Sequence, residues 1–398
     1  MARKRRAASE DHGLVWAASL SAAHAAKTPE VAISFASGVP DPRIAAPDIL
    51  EKMAVEALKA GQEVYEGYGD VQGLPALREV IAKRFNGRAR GARVSADEVM
   101  ITSGSQQAVA AIALLAHAEK LRVLVETPGY LGVANAFRGV GNTVESVRRD
   151  KDGPLPESLA RPGDGRPAVF YLCAEINNPM GTDLSPSRRR AVVKWAKEEG
   201  GILVSDEIFR DLRFEGTAQR GLVFDAGTRR AVAVSSISKS FMCGLRIGWL
   251  ITSRERIRAL LALKKAMDIS CPPLMQGIAL ALFTSGAYDA HLARARRHYR
   301  VRRNAALAAL KRHMPRGVTW TRPKGGFHMW VELPEGCSSV ALNELTAKRG
   351  AAICPGPNVD VDRAFANCFR LNYGSLDPVD IRRGIEILAG AAKKLLKT

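Results

Sequence analysis

The stretch on which the fold turns is Ala231-Val232-Ala233-Val234-Ser235-Ser236-Ile237-Ser238-Lys239. Small and β-branched apolar residues run unbroken into a cluster of hydroxyls and one amine. A short run that is apolar on both alternations predicts a strand buried on both faces. Comparable runs lie at residues 99–103, 122–126, 168–172, 202–205 and 247–251. Helical patterns, such as those starting at Gln106 and spanning residues 187–199, separate several of them. Buried strands that alternate with helices define an α/β, doubly wound, mostly parallel sheet domain.

The chain has 398 residues and is 46% hydrophobic, enough for more than one compact unit. The large domain is expected over residues 48–284. From residue 285 a long basic helix leads to Val318-Thr319-Trp320, then to Gly325-Gly326-Phe327-His328-Met329-Trp330-Val331. A helix and further strands follow, which predicts a smaller α+β domain over residues 285–398. Residues 1–47 are too few for a core of their own and are expected to pack with that smaller domain.

The net charge of +19 raises the question of an acidic or nucleic-acid partner. The charge is spread, and its densest stretch, Arg294 to Arg303, shares a helix with Leu292, Ala295 and Tyr299. A solvated helix face is expected there. No zinc finger, RNA-binding aromatic motif or helix-turn-helix stands beside it, so no nucleic acid is expected. The six cysteines lack close pairs and metal spacing, which fits reduced thiols in a cytoplasmic protein without a metal. No apolar run reaches the ~20 residues of a membrane helix. Lys4, Arg5 and Arg6 before the Ala-rich run from Leu14 to Ala26 loosely imitate a signal peptide. Glu10, Asp11 and His12 interrupt the junction, so a basic tail followed by a helix is expected instead.

In an open α/β sheet, ligands sit beyond the carboxyl ends of the strands. The polar residues after each run are therefore the candidates: Ser103-Gly104-Ser105-Gln106, Thr127-Pro128-Gly129-Tyr130, Asn177-Asn178-Pro179, Asp206-Glu207 and Ser236-Ile237-Ser238-Lys239. The first opens a helix, where free N–H groups and the dipole favour phosphate. A serine there is also an ordinary helix cap. Lys239, flanked by hydroxyls and followed by Arg246, suits an aldehyde cofactor that carries a phosphate. Asp206 reads either as a cap or as the acid opposite a pyridine nitrogen.

These motifs, in this order, resemble the fold-type I pyridoxal-phosphate enzymes of the class I and II aminotransferase family. The chain is most similar to the branch of 2-aminoadipate and kynurenine aminotransferases and of the aminotransferase-like domain of MocR regulators. The likeness runs from Phe35-Ala36-Ser37-Gly38-Val39-Pro40 to Arg370-Leu371-Asn372-Tyr373-Gly374. It implies that Lys239 holds pyridoxal 5'-phosphate as an imine and later acts as the general base. It implies that Asp206 faces the ring nitrogen, Tyr130 stacks on the ring and Asn178 meets the phenolic oxygen. Gly104, Ser105, Gln106, Ser236 and Arg246 would bind the phosphate. Arg370 would grip the substrate α-carboxylate, beside Gly38 and Asn178, since a guanidinium makes two parallel bonds to a carboxylate. Tyr68, in Tyr-x4-Gly73-x3-Leu77-Arg78, would reach the neighbouring subunit's cofactor, which implies a homodimer with shared active sites.

The implied activity is transfer of an amino group from an L-α-amino acid to a 2-oxo acid. One departure bears on it. The family usually has tyrosine three residues after the acid, and Asp206-Glu207-Ile208-Phe209 supplies phenylalanine. Phe209 packs but donates no hydrogen bond. An ordinary aminotransferase with a tolerated change is the first explanation. A dioxygen-using amino-acid oxidase, a cyclase or an eliminase on the same scaffold is the alternative. A ligand-sensing or DNA-binding regulator of the same fold is the reading from another class; the basic charge favours it and the missing DNA-binding module opposes it.

Overall fold

The computed structural model describes residues 31–61, 66–87, 91, 93–159 and 165–396. The basic tail and the helix expected within residues 14–26 lie outside them. In chain order the strands are β1 (Ile33–Ser34), β2 (Val99–Thr102), β3 (Arg122–Thr127), β4 (Val144–Asp150), β5 (Gly153–Pro154), β6 (Ala168–Leu172) and β7 (Ile202–Asp206). They continue with β8 (Ala231–Ser236), β9 (Gly248–Ile251), β10 (Thr319–Trp320), β11 (His328–Glu332), β12 (Ala351–Ala352), β13 (Cys354–Pro355) and β14 (Cys368–Asn372).

The large sheet has the order β2-β9-β8-β7-β6-β3-β4-β5. Its centre is parallel: β8 with β7, β7 with β6, β6 with β3, and β3 with β4. Successive side chains point to opposite faces, and the core divides accordingly. Leu124, Phe170, Leu172, Leu203, Ala231 and Ala233 join one apolar cluster. Val123, Val125, Val169, Val204, Val232 and Val234 join the other, with Ala108, Val109 and Ile112 of the helix Ser105–Ala118. Both faces are covered, which is why these strands carry no polar alternation.

Two features go beyond the expectation of a mostly parallel sheet. β9 runs antiparallel to both β2 and β8. This reversal brings its first residue, Gly248, opposite both Thr102 and Ser236. β4 carries no apolar run, since Val144-Glu145-Ser146-Val147-Arg148-Arg149-Asp150 is largely polar. It lies near the sheet edge with only the two-residue β5 beyond it, so continuous burial is not required of it.

The smaller α+β domain holds the antiparallel sheet β10-β11-β14-β13. The N-terminal segment belongs to it structurally: β1 pairs in parallel with β12, Ile33 opposite Ala351. Phe35, fully buried, packs on the helix Pro378–Leu395 at Gly384. A Cβ at Gly384 would lie 2.4 Å from the Phe35 ring. Gly384→Val should therefore destabilise the protein by about 1–3 kcal/mol through overpacking. Urea unfolding monitored by circular dichroism checks this, and an unchanged midpoint would contradict the docking of this segment.

Candidate active site

The carboxyl ends of β3, β6, β7 and β8 share one edge because these strands are parallel. β2 ends there too, being antiparallel to the reversed β9. The polar clusters of five chain segments thus converge, together with the loop that enters β9.

Lys239 lies one turn beyond β8. Its Nζ donates a 2.8 Å hydrogen bond to the carbonyl of Gly38 in the N-terminal segment. Burial lowers its pKa from the usual 10.5, with Arg370 and Arg246 acting in the same direction against Cys243 and Asp206. Asp206, the last residue of β7, accepts hydrogen bonds from the Ile208 N–H at 2.9 Å and the Tyr171 hydroxyl at 2.7 Å. Burial raises its carboxyl pKa. A buried carboxylate with two neutral donors is favoured by a cation placed beside it.

Gly104 precedes the helix Ser105–Ala118 with φ +78°. A Cβ there would come within 2.4 Å of the Arg246 guanidinium. The close approach lets Arg246 lie against the helix N-terminus, where it donates to the Ser103 carbonyl at 3.1 Å and the Ser238 hydroxyl at 3.4 Å. Arg246 itself takes a left-handed backbone, φ 53°. Ser105 stands at the first helical position, and the Gln106 side chain donates to the Gly132 carbonyl at 3.4 Å. Ser236 is engaged within the loop: its hydroxyl lies 2.7 Å from the Ile247 carbonyl and accepts from the Ser238 N–H at 3.0 Å. Ser238, two residues on, is the hydroxyl next to Arg246.

Arg370 projects from β14. It donates to the Ala36 carbonyl at 2.8 Å and to Asn178 Oδ1 at 3.2 Å. A Cβ on Gly38 would stand 3.9 Å from its Nη2. Tyr130 is 45% exposed at the mouth. Its phenol end lies deep enough for burial, then Asp206, to raise its pKa against Arg370 and Arg246. Tyr68 is 74% exposed. It is not brought into this cluster within one chain.

Several neighbours carry no local sequence mark. Tyr171 meets Asp206 only because β6 and β7 are adjacent. Glu126 and Arg149 form a buried ion pair at 3.6 Å. Glu126 Oε1 also accepts from the Cys173 N–H and the Asn177 amide, both at 2.7 Å, and so fixes the start of the Asn177-Asn178 loop. Phe209, 3% exposed, packs edge-on against Phe327 and His328, with ring centroids 5.1 and 5.2 Å away. Among the described residues no group of acidic, histidine or cysteine side chains could hold a metal ion. None of their helices is long and apolar enough to cross a membrane.

An amine with a lowered pKa, a buried acid that favours a cation, and a phosphate-type cradle form one donor set. They fit pyridoxal phosphate: an aldehyde for Lys239, a ring nitrogen for Asp206, and a dianion for Arg246 and the helix N-terminus. Residues 32–388 match the aminotransferase class I and II family, and the chain belongs to that family. It is a pyridoxal-phosphate-dependent aminotransferase, which transfers amino groups between amino acids and 2-oxo acids. It is 32% identical to a 2-aminoadipate transaminase of Thermus thermophilus, over 92% of this chain and 91% of that protein. Its structure is similar to Pyrococcus horikoshii kynurenine aminotransferase in complex with PMP, with a TM-score of 0.86 and 30% identity over 94% and 93% of the two chains. It is also similar to the α-aminoadipate aminotransferase of T. thermophilus complexed with N-(5'-phosphopyridoxyl)-L-leucine, with a TM-score of 0.82 and 30% identity over 92% and 93%.

The surroundings of Lys239 yield a pH prediction. A depressed pKa leaves the free amine present at lower pH than on an ordinary lysine. In protein stripped of cofactor, acylation of Lys239 followed by mass spectrometry should show a pH midpoint below 10.5. In Arg370→Leu the midpoint should rise, because a cation that opposes the ammonium is removed. A midpoint unmoved by that substitution would contradict the geometry.

Proposed function

We propose that Lys239 is the residue on which transamination turns and that the surrounding side chains bind cofactor and amino acid in a single pocket. The observation that carries this reading is the largely buried amine of Lys239, set between the acid Asp206 and the carboxylate fork Arg370. When bound, pyridoxal phosphate supplies an aldehyde that takes up amines and a cationic ring that draws electrons from the substrate α-carbon.

Asp206 keeps the proton on the ring nitrogen, since its buried carboxylate favours a cation. Tyr130 covers the ring. Ser105, Gln106, Ser236, Ser238 and Arg246 surround the phosphate, with Gly104 leaving room for Arg246. Asn178 serves the phenolic oxygen through its amide N–H groups, because its carbonyl oxygen accepts from Arg370. Arg370 takes the α-carboxylate of an L-α-amino acid, beside the Gly38 backbone. Lys239 Nζ, neutral over a wider pH range than an exposed lysine, accepts the α-proton and holds it for return. Burial keeps water from competing for that proton.

Replacing Lys239 by Ala should abolish transamination and the cofactor's visible absorbance band. Borohydride treatment of the wild-type enzyme should attach the cofactor mass to Lys239 alone. An amino-acid panel starting with 2-aminoadipate and kynurenine, assayed with an oxygen electrode, also tests the reaction type. Strict dependence on a 2-oxo acid acceptor supports transamination. Oxygen uptake and peroxide without an acceptor would move the enzyme to the oxidase alternative suggested by Phe209.

The assembly we propose is a two-fold homodimer in which Tyr68 serves the neighbouring site. Its ring is exposed, and Met267 and Ile269, also exposed, lie just before Ser270, whose hydroxyl bonds the Tyr68 carbonyl. The six cysteines, all free, support the cytoplasmic reading. Mixing Lys239→Ala subunits with Tyr68→Ala subunits should produce hybrids with one wild-type site and activity above either parent. Absence of any gain after subunit exchange would show that Tyr68 does not act across an interface.

A further inference from the structure

His328 is the first residue of β11, in the run Gly326-Phe327-His328-Met329. It is 3% exposed. Its Nε2 is buried and makes no hydrogen bond to any described residue. A buried polar atom left unpaired costs about 1–3 kcal/mol. Native proteins retain few such atoms, and each calls for an explanation, such as a functional role or a bound water or ion.

The register of the small sheet shows which way the ring faces. His328 stands opposite Asn372 and Trp330 opposite Arg370. Alternation along β14 puts Arg370 and Asn372 on one face, and His328 shares it. That face carries the N-terminal segment: Arg370 donates to the Ala36 carbonyl, and the Asn372 amide donates to the Ser37 carbonyl. Phe209 and Phe327 press on the imidazole, at 5.2 and 4.8 Å between centroids. Two cations also act on it. After burial, Arg370 and then Lys239 hold its pKa well below 6.5, so the ring is neutral.

A neutral imidazole presents either a lone pair or an N–H at Nε2. Neither Arg370 nor Lys239 donates to it, so a lone pair there is left unpaired. An N–H there has no acceptor among the described residues. We propose that His328 donates an Nε2–H hydrogen bond to an anionic oxygen bound between Lys239 and Arg370. This rests on the pocket assignment given above. Two sources carry that chemistry, the α-carboxylate of the amino acid and the phenolic oxygen of the cofactor. Phe209, the aromatic neighbour of His328, offers no donor to either, so His328 adds a second donor beside Arg370 on the carboxylate or beside Asn178 on the phenolic oxygen.

Protein labelled with 15N at histidine reads the ring nitrogen directly, apart from turnover. His328→Phe identifies the resonance and suits the aromatic surroundings. A shift of that signal on adding pyridoxal phosphate to stripped enzyme marks the phenolic oxygen as partner. A shift on adding 3-methylbutanoate, a carboxylate with no amino group, to holoenzyme marks the carboxylate. In the second case His328→Phe should weaken 3-methylbutanoate binding about tenfold, as loss of a charge-assisted hydrogen bond does. His328→Gln, which keeps an N–H, should recover part of it. No shift in either arm would overturn the proposal. Arg370→Ala separates the two failures. If it leaves 3-methylbutanoate affinity unchanged, the carboxylate assignment of Arg370 falls. If it abolishes binding while the His328 signal stays still throughout, only the role of His328 falls.

Discussion

An amine largely withdrawn from solvent just beyond the end of a parallel strand is the constraint around which this molecule is arranged. Water stabilises an ammonium strongly, and the interior does not replace it. Around Lys239 the charges add to that effect: Arg370 and Arg246 are of the same sign, and Asp206 opposes them. The outcome is a nitrogen inclined to hold a lone pair, which both condensation with an aldehyde and acceptance of a proton require. Only a sheet buried on both faces and capped by a second domain keeps water from that position.

The cap is built from the opposite end of the chain. Gly38 reaches Lys239 because its segment is strung across the small sheet. Ile33 pairs with Ala351, Phe35 fills the space left by Gly384, and the Ala36 and Ser37 carbonyls are taken by Arg370 and Asn372. Each link is modest. Together they put a backbone carbonyl 2.8 Å from the amine and set the guanidinium of Arg370 beside it. The Arg370 wall and the Lys239 amine are thus coupled through a few hydrogen bonds between domains.

Beneath the site lies a band of buried ion pairs. Glu175 meets Arg210 at 3.2 Å and Arg213 at 2.8 Å, Arg213 meets Asp183 at 2.7 Å, and Arg210 meets Glu207 at 2.8 Å. Glu207 follows Asp206, while Glu175 and Asp183 bracket the Asn177-Asn178 loop. Buried pairs are weak contributors to net stability, because desolvation offsets their attraction. Their geometry is directional, however, and here it ties the loop bearing the acid to the loop bearing the amide. Glu126, paired with Arg149, holds the start of the amide loop from the other side.

The sequence by itself determined the strands that are apolar on both faces, and with them the edge where Lys239, Asp206, Asn178 and Gly104 gather. Burial on both sides of a sheet leaves a continuous local signature, and the carboxyl end of each strand follows from it. Arg246 and Arg370 could be matched to motifs for the same reason, as each sits in a short apolar context. Tertiary structure alone decided the rest. β4 reads as polar because an edge position exempts it from that signature. The reversal of β9 depends on which strands it lies between. Tyr171 reaches Asp206, Glu126 reaches Asn177, and His328 faces Arg370 only through strand neighbours far away in the chain. Contacts of that kind are set by register and packing, and no window of sequence contains both partners.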